Sequence, residues 1–244
     1  MRLALATWME VETYLTESRG IIIPTGSTEQ HGPMGLIGTD ALCAEVIADG
    51  VGTVTGALVA PTLCYTPAPF NTSFPGTISV SAPLFQALAS EIIDGLCRQG
   101  FEKVYVLNGH GANIAPLSEV AEKLDGGEMR IRSWWDFAPV NEIRHQLYGD
   151  WEGMHATPSE IAITQAVHRR VDAGTASTPP QKLSQSYLRE HAGDRHGPPD
   201  EHRAAFPDGR VGSHSALARP EHGVQLRDAA IEAIADDYIA WLAN

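Results

Sequence analysis

The stretch KVYVLNGHGAN, Lys103 to Asn113, decides the class of this chain. Val104, Tyr105, Val106 and Leu107 read as a short buried strand that gives way at once to a loop of Asn, Gly and His. Ile114, Leu117, Val120, Ala121 and Leu124 then recur at helical spacing. Strand, polar loop and amphipathic helix in succession are the repeating unit of an α/β layered domain. Working outward, GIIIPTG (20–26) repeats the pattern as a buried strand ending at Gly26. Its loop runs to Asp40, where a helix over Asp40–Asp49 carries Leu42, Val46 and Ile47 and is expected to stop at Gly50. ALVAPTLCY (57–65) is expected as a second strand, followed by a loop rich in Pro, Asn and Ser. Ser81 is placed to cap a helix with Leu84, Phe85, Leu88, Ile92 and Leu96, closed by Gly100. RIRSWWDF (130–137) is a further strand candidate. From Asp172 to Pro220 periodicity is lost and long loops are expected. Ile231, Ile234, Trp241 and Leu242 restore a helical face at the end, so residues 1–244 read as one domain without repeats.

Bulk properties narrow the partners. With Lys+Arg 17 against Asp+Glu 30 the formal charge is −13, which argues against a nucleic-acid backbone as ligand. Cys43, Cys64 and Cys97 form no CxxC pair and suit free thiols in a reducing compartment. No stretch has the length or flanks of a membrane span or leader, so a soluble, cytoplasmic protein is expected.

Metal-capable side chains recur beside glycines or at the ends of apolar strands. They are Glu29 and His31 in TGSTEQHG, Asp40, His110 in NGHGAN, and His155 and Glu160 in GMHATPSE. Ligands of open α/β sheets bind outside the carboxyl ends of strands, where Glu29, His31 and His110 lie. Each residue also has an ordinary explanation. Glu29 and His31 suit a solvated loop, and Asp40 a helix cap. His110 could belong to a phosphate-cradling turn, although the third glycine of the dinucleotide fingerprint is missing. Thr157 and Glu160 match a capping box. His191, His196, His202, His214 and His222 have no clean ligand spacing and read as solvated. Ser27 and Thr28 lack the immediate helix of a nucleophile elbow. Gathered in one cleft, however, the carboxylates would repel one another unless a divalent cation neutralised them, and mixed imidazole and carboxylate donors suit Zn²⁺, Mn²⁺ or Fe²⁺.

PTGSTEQHGPMGLIGTD, NGHGAN, GMHATPSE and the late GRVGSHSALARPEHG together resemble the creatininase family of metal-dependent amidohydrolases, in order and spacing over most of the chain. The resemblance implies a three-layer α/β/α sandwich with a mostly parallel central sheet, two divalent ions per subunit, a small-molecule amide substrate and a homohexamer. Carried over by position, Glu29, His31, Asp40 and His110 fall on metal-binding positions, with Asp40 as the bridge and Glu160 as the remaining ligand. His155 falls on the proton carrier, and Glu160 stands beside it as a second catalytic candidate.

Two departures stand out. Creatininase proper has Tyr and a ligating Glu directly after the loop histidine, where this chain has Gly111 and Ala112, which weighs against creatinine as substrate. His214 stands where many relatives carry an acid. Trp134, Trp135 and Trp151 are candidates for an aromatic wall, with core packing the competing use. Deformylation of a formamide or trimming of a modified peptide would use the same donors. A metal-dependent binding protein without catalysis, and plain solvated turns on an unrelated α/β domain, are the readings of other classes.

Overall fold

The computed structural model describes residues 1–244. Its centre is a four-stranded, wholly parallel sheet in the order β2-β1-β3-β4, built from β1 (Gly20–Thr25), β2 (Leu58–Val59), β3 (Lys103–Asn108) and β4 (Glu128–Ser133). Parallel neighbours need long crossovers, and helices supply them. α2 (Thr39–Thr55) joins β1 to β2, α3 (Ala82–Arg98) joins β2 to β3, and α4 (Ile114–Lys123) joins β3 to β4. β1 and β3 pair over their full lengths, from Gly20 opposite Lys103 to Thr25 opposite Asn108.

The two-residue period of a strand sorts the core into two faces. Ile21, Ile23, Val104 and Val106 pack with Phe85 and Ile93 of α3 and Leu117 of α4. Ile22, Tyr105 and Leu107 pack on the other side with Ile47 and Val51 of α2. That second layer is completed by α5 (Ala138–Tyr148), α6 (Pro158–Val167) and α9 (Pro220–Leu242), which contributes Leu226 and Ile234. The result is a three-layer α/β/α sandwich. α1 (Trp8–Glu17) precedes the first strand. No helix is long and apolar enough to cross a membrane.

Several boundaries differ from the sequence expectations. α2 does not stop at Gly50 but runs to Thr55 and ends on Gly56, which is left-handed at φ 76. Gly50 instead admits α9, because a Cβ there would lie 2.2 Å from the Cδ1 of Ile231. Of 57–65, only Leu58 and Val59 join the ladder; past Pro61 the chain touches the sheet once, through Leu63 and Thr25. β4 begins at Glu128 and ends before the tryptophans. The late loops contain two short helices, α7 (Gln185–Glu190) and α8 (Pro199–Ala205). The Ser81 cap is present, its hydroxyl accepting from Leu84 N–H.

Candidate metal centre

Every donor group sits at the end of an element, on one side of the sheet. The loop after β1 carries Glu29 and His31, the first turn of α2 carries Asp40, and the loop after β3 carries His110. Glu160 opens α6, and His155 precedes it by one short turn. Two glycines bring these loops onto α2. A Cβ on Gly26 would fall 2.4 Å from the Asp40 carbonyl carbon, and one on Gly109 would fall 2.3 Å from its oxygen. Glycine at the ends of β1 and β3 therefore lets both loops close on the backbone of Asp40.

The six side chains are buried, Glu29 fully and Glu160 at 8% exposure. Their donor atoms form overlapping groups whose members lie within 4.8 Å of one another: Glu29, Asp40 and His110; His31, Asp40 and Glu160; and Glu29, His31 and His155. Asp40 belongs to the first two. Its Oδ2 lies 2.8 Å from His110 Nδ1, and its Oδ1 lies 2.8 Å from His31 Nε2. Ser27 donates its hydroxyl to the same carboxylate at 2.9 Å.

The imidazoles are oriented in a common way. The outer nitrogen of each donates to a main-chain carbonyl: His110 Nε2 to Pro67, His31 Nδ1 to Glu29 and His155 Nε2 to Gln30, at 2.8, 3.1 and 2.7 Å. The inner nitrogen is left to face the carboxylates, the tautomer a metal ligand requires. Asn71 donates to Glu29 Oε2 and is itself fixed by Gln30. Glu29 Oε1, wholly buried, faces only the inner nitrogens of His110 and His155, at 3.1 and 3.9 Å. A wholly buried carboxylate oxygen facing imidazole nitrogens that offer lone pairs once their protons leave fits a divalent-metal site.

Electrostatics agree with that fit. Burial alone would raise Glu29, but His110 and His155 hold it down to about 2. Burial also opposes ionisation of Asp40, yet His31 and His110 keep it well below the carboxylate range. Burial would discharge His31, and Asp40 holds it up to about 10. His110 is likewise held well above its usual value by Glu29 and Asp40, against burial. Protons on these inner nitrogens thus carry the positive charge a cation would otherwise bring. His155 behaves oppositely: burial and neighbouring His31 lower it to about 4, so it is neutral at pH 7. Burial lifts Glu160 to about 8 even beside His31.

Asp40 does not cap α2; the cap position is Gly38, and the carboxylate turns inward. Glu160 does two things at once. It completes the Thr157 capping box and stands 3.8 Å from His31 Nε2. The main chain at His155 is stitched to a segment far along the sequence: Met154 N–H donates to the Val211 carbonyl and Val211 N–H to that of His155. Ala156, next in line, is left-handed at φ 57.

Above the donors lies a cavity of 170 Å³. Trp134 and Trp135 form one wall, edge to face at 5.5 Å. Trp151 stands elsewhere, against His214 and Lys182. Two of the histidines expected in solvent are not there. His202 is 4% exposed and the His196 side chain 1%, and both rings lie on Phe70, at 5.2 and 4.8 Å. Asp194 was not singled out from the sequence, yet it borders the cavity with its Oδ2 3.7 Å from His110 Nδ1. Its position between a glycine and an arginine in an aperiodic loop gives no signal for it.

Parallel sheet, carboxyl-end loops and a buried cluster of acids and imidazoles define a divalent-metal hydrolase on an α/β/α scaffold. The chain belongs to the creatininase family: the family described as "Creatininase: Creatinine amidohydrolase" matches residues 4–238. It is 26% identical to the creatinine amidohydrolase of Pseudomonas putida, over 94% of this chain and 93% of that one. It is 36% identical to the 3-dehydro-scyllo-inosose hydrolase of Thermotoga maritima, over 46% of this chain and only 37% of that longer protein. The solved structure "Creatininase Mn" superposes with a TM-score of 0.77 at 23% identity, covering 97% of this chain and 96% of that one. At that identity the superposition speaks for the fold.

Proposed function

We propose that the protein hydrolyses a C–N bond of a small cyclic or linear amide, with divalent cations held by Glu29, Asp40 and His110 on one side and by His31, Asp40 and Glu160 on the other. The observation that carries this reading is the single carboxylate of Asp40 shared by two donor groups beneath a small cavity. Two cations, of Zn²⁺, Mn²⁺ or Fe²⁺, would supply Lewis acidity for the amide carbonyl and for water.

The residues of the chain do the rest. His155, neutral and with its outer N–H fixed on the Gln30 carbonyl, turns Nδ1 towards Glu29 Oε1, 3.9 Å away. It is suited to take a proton from water as the oxygen adds to the carbonyl carbon, and to give it to the nitrogen as the C–N bond breaks. The water's oxygen ends on the acyl carbon, and its proton on the amine. Trp135 gives a flat substrate an apolar face, backed by Trp134, which is 1% exposed and packs in the core. The cavity's 170 Å³ favours a small molecule over a peptide. Cytoplasmic location and a homohexamer are carried from the cysteine pattern and the family resemblance; light scattering of the purified protein tests the latter.

The test is a panel of lactams, cyclic ureas, formamides and short peptides given to protein loaded with each metal and to chelated protein. Release of ammonia, formate or amine by the loaded form alone is the expected result. No release from any amide by metal-filled protein would leave the non-catalytic binding reading in its place.

A further inference from the structure

Asp194 is the one carboxylate at the cavity that neither donor group uses. It is delivered by the turn after α7, with its own backbone left-handed at φ 56. Its side chain, 12% exposed, has a single hydrogen bond, from Ala112 N–H to Oδ2 at 3.1 Å. The approach depends on Gly111, where a Cβ would lie 2.3 Å from that oxygen. Gly111 is not among the glycines of positive φ, so the missing side chain, and not its backbone conformation, is what the contact needs. Behind the carboxylate, His196 Nε2 stands 3.9 Å from Oδ1, beyond hydrogen-bond range, and neither nitrogen of that ring has a partner.

An ionised carboxylate accepts about four hydrogen bonds, and a single one is accounted for here. Asp194 touches the edge of the metal centre through His110 but is not a member of any converging donor group. Its spare acceptor capacity therefore belongs to whatever enters the cavity beside the centre. Resting on the amidohydrolase reading above, we propose that Asp194 is a specificity-determining residue that accepts a hydrogen bond from an N–H on the substrate, next to the carbonyl under attack. The substrates selected are amides or ureides that keep a hydrogen on nitrogen; fully N-alkylated ones leave a largely buried acceptor unmatched, which costs affinity.

Calorimetric binding to zinc-loaded protein tests this without turnover, using hydantoin and its N,N′-dimethyl form as probes. The native chain should prefer hydantoin by about 10-fold or more. Asp194→Ala should bring the two affinities together, as should Gly111→Ala by pushing the carboxylate aside. The nearly isosteric Asp194→Asn should narrow the gap while preserving the turn. Zinc per chain, read by mass spectrometry, should not change in any of them. A preference that survives in Asp194→Ala, or no preference in the native chain, whether or not either probe binds, overturns the proposal. So does a loss of zinc in Asp194→Asn, which would make the residue a ligand. A protein that cleaves no amide yet shows the preference would remove the hydrolase reading and keep Asp194 only as the acceptor of a ligand N–H; cleavage without the preference would keep the hydrolase reading and overturn this one.

Discussion

His155 differs from the other imidazoles of the site by a charge. Without metal, His31 and His110 are pressed between carboxylates and hold protons, whereas His155 lies 4.4 Å, ring to ring, from charged His31 and is kept neutral by burial and by that neighbour. This is the protonation state a carrier needs before the reaction starts. Replacing His155 by Ala should slow amides with poor leaving groups by ~10²–10⁴-fold and those with good leaving groups far less. Equal losses across a leaving-group series would mean that the ring merely positions substrate. The sequence placed His155 through its resemblance to a family motif; spacing alone gave no charge state, because His31 becomes its neighbour only when the loop after β1 meets the segment before α6. Asp194 illustrates the other limit. Nothing local marks it, since its role is set by a gap at Gly111, far away in the chain.

At the scale of elements, α6 joins stability to chemistry through its first turn. Glu160 is at once the N3 residue of a capping box and a donor of the second group. Its carboxyl is raised from 4.5 to about 8, first by burial, so folding disfavours the ionised form. In chelated protein, stability is accordingly lost as pH rises from about 4.5 to about 8. Glu160→Gln keeps the cap and removes that loss. Urea midpoints in chelator should show the variant gaining ~2 kcal/mol over the native chain at pH 8 and little at pH 4.5. A gain of equal size at both pH values would contradict the assignment. The elements themselves were unequally legible. β1 and β3 read clearly because a parallel strand buried on both faces is a continuous apolar run. β2 did not, since ALVAPTLCY is apolar for longer than it is paired. Nor did the end of α2, where Gly50 looked like a stop signal and is a seat for Ile231 of α9. His196 and His202 were misread because their burial comes from Phe70, on another loop.

For the molecule as a whole, the centre gathers loops from both halves of the chain, so filling it should stabilise everything. Zinc at ~100 times its dissociation constant adds ~2.7 kcal/mol per site, or roughly 5–10 °C in Tm for a chain of this size. Asp40→Asn and His110→Ala should each cut that shift sharply, lower bound metal and abolish hydrolysis, while far-UV circular dichroism stays native. A full thermal shift in Asp40→Asn would show that the cation binds elsewhere. The layered architecture was legible because its unit, strand then loop then helix, repeats within short windows; the site's second wall was not, because it is built by return of the chain after a long aperiodic stretch. That return has a practical corollary. The residue bonded to His155 in the manner of a neighbouring strand is Val211, while Thr178, Gln181 and Lys182 between them are open to solvent. A protease nick there would sever the covalent path yet leave the two fragments clasped around the imidazole, placing Asp194's turn and His155 on separate polypeptides by cutting the polymer instead of changing its letters.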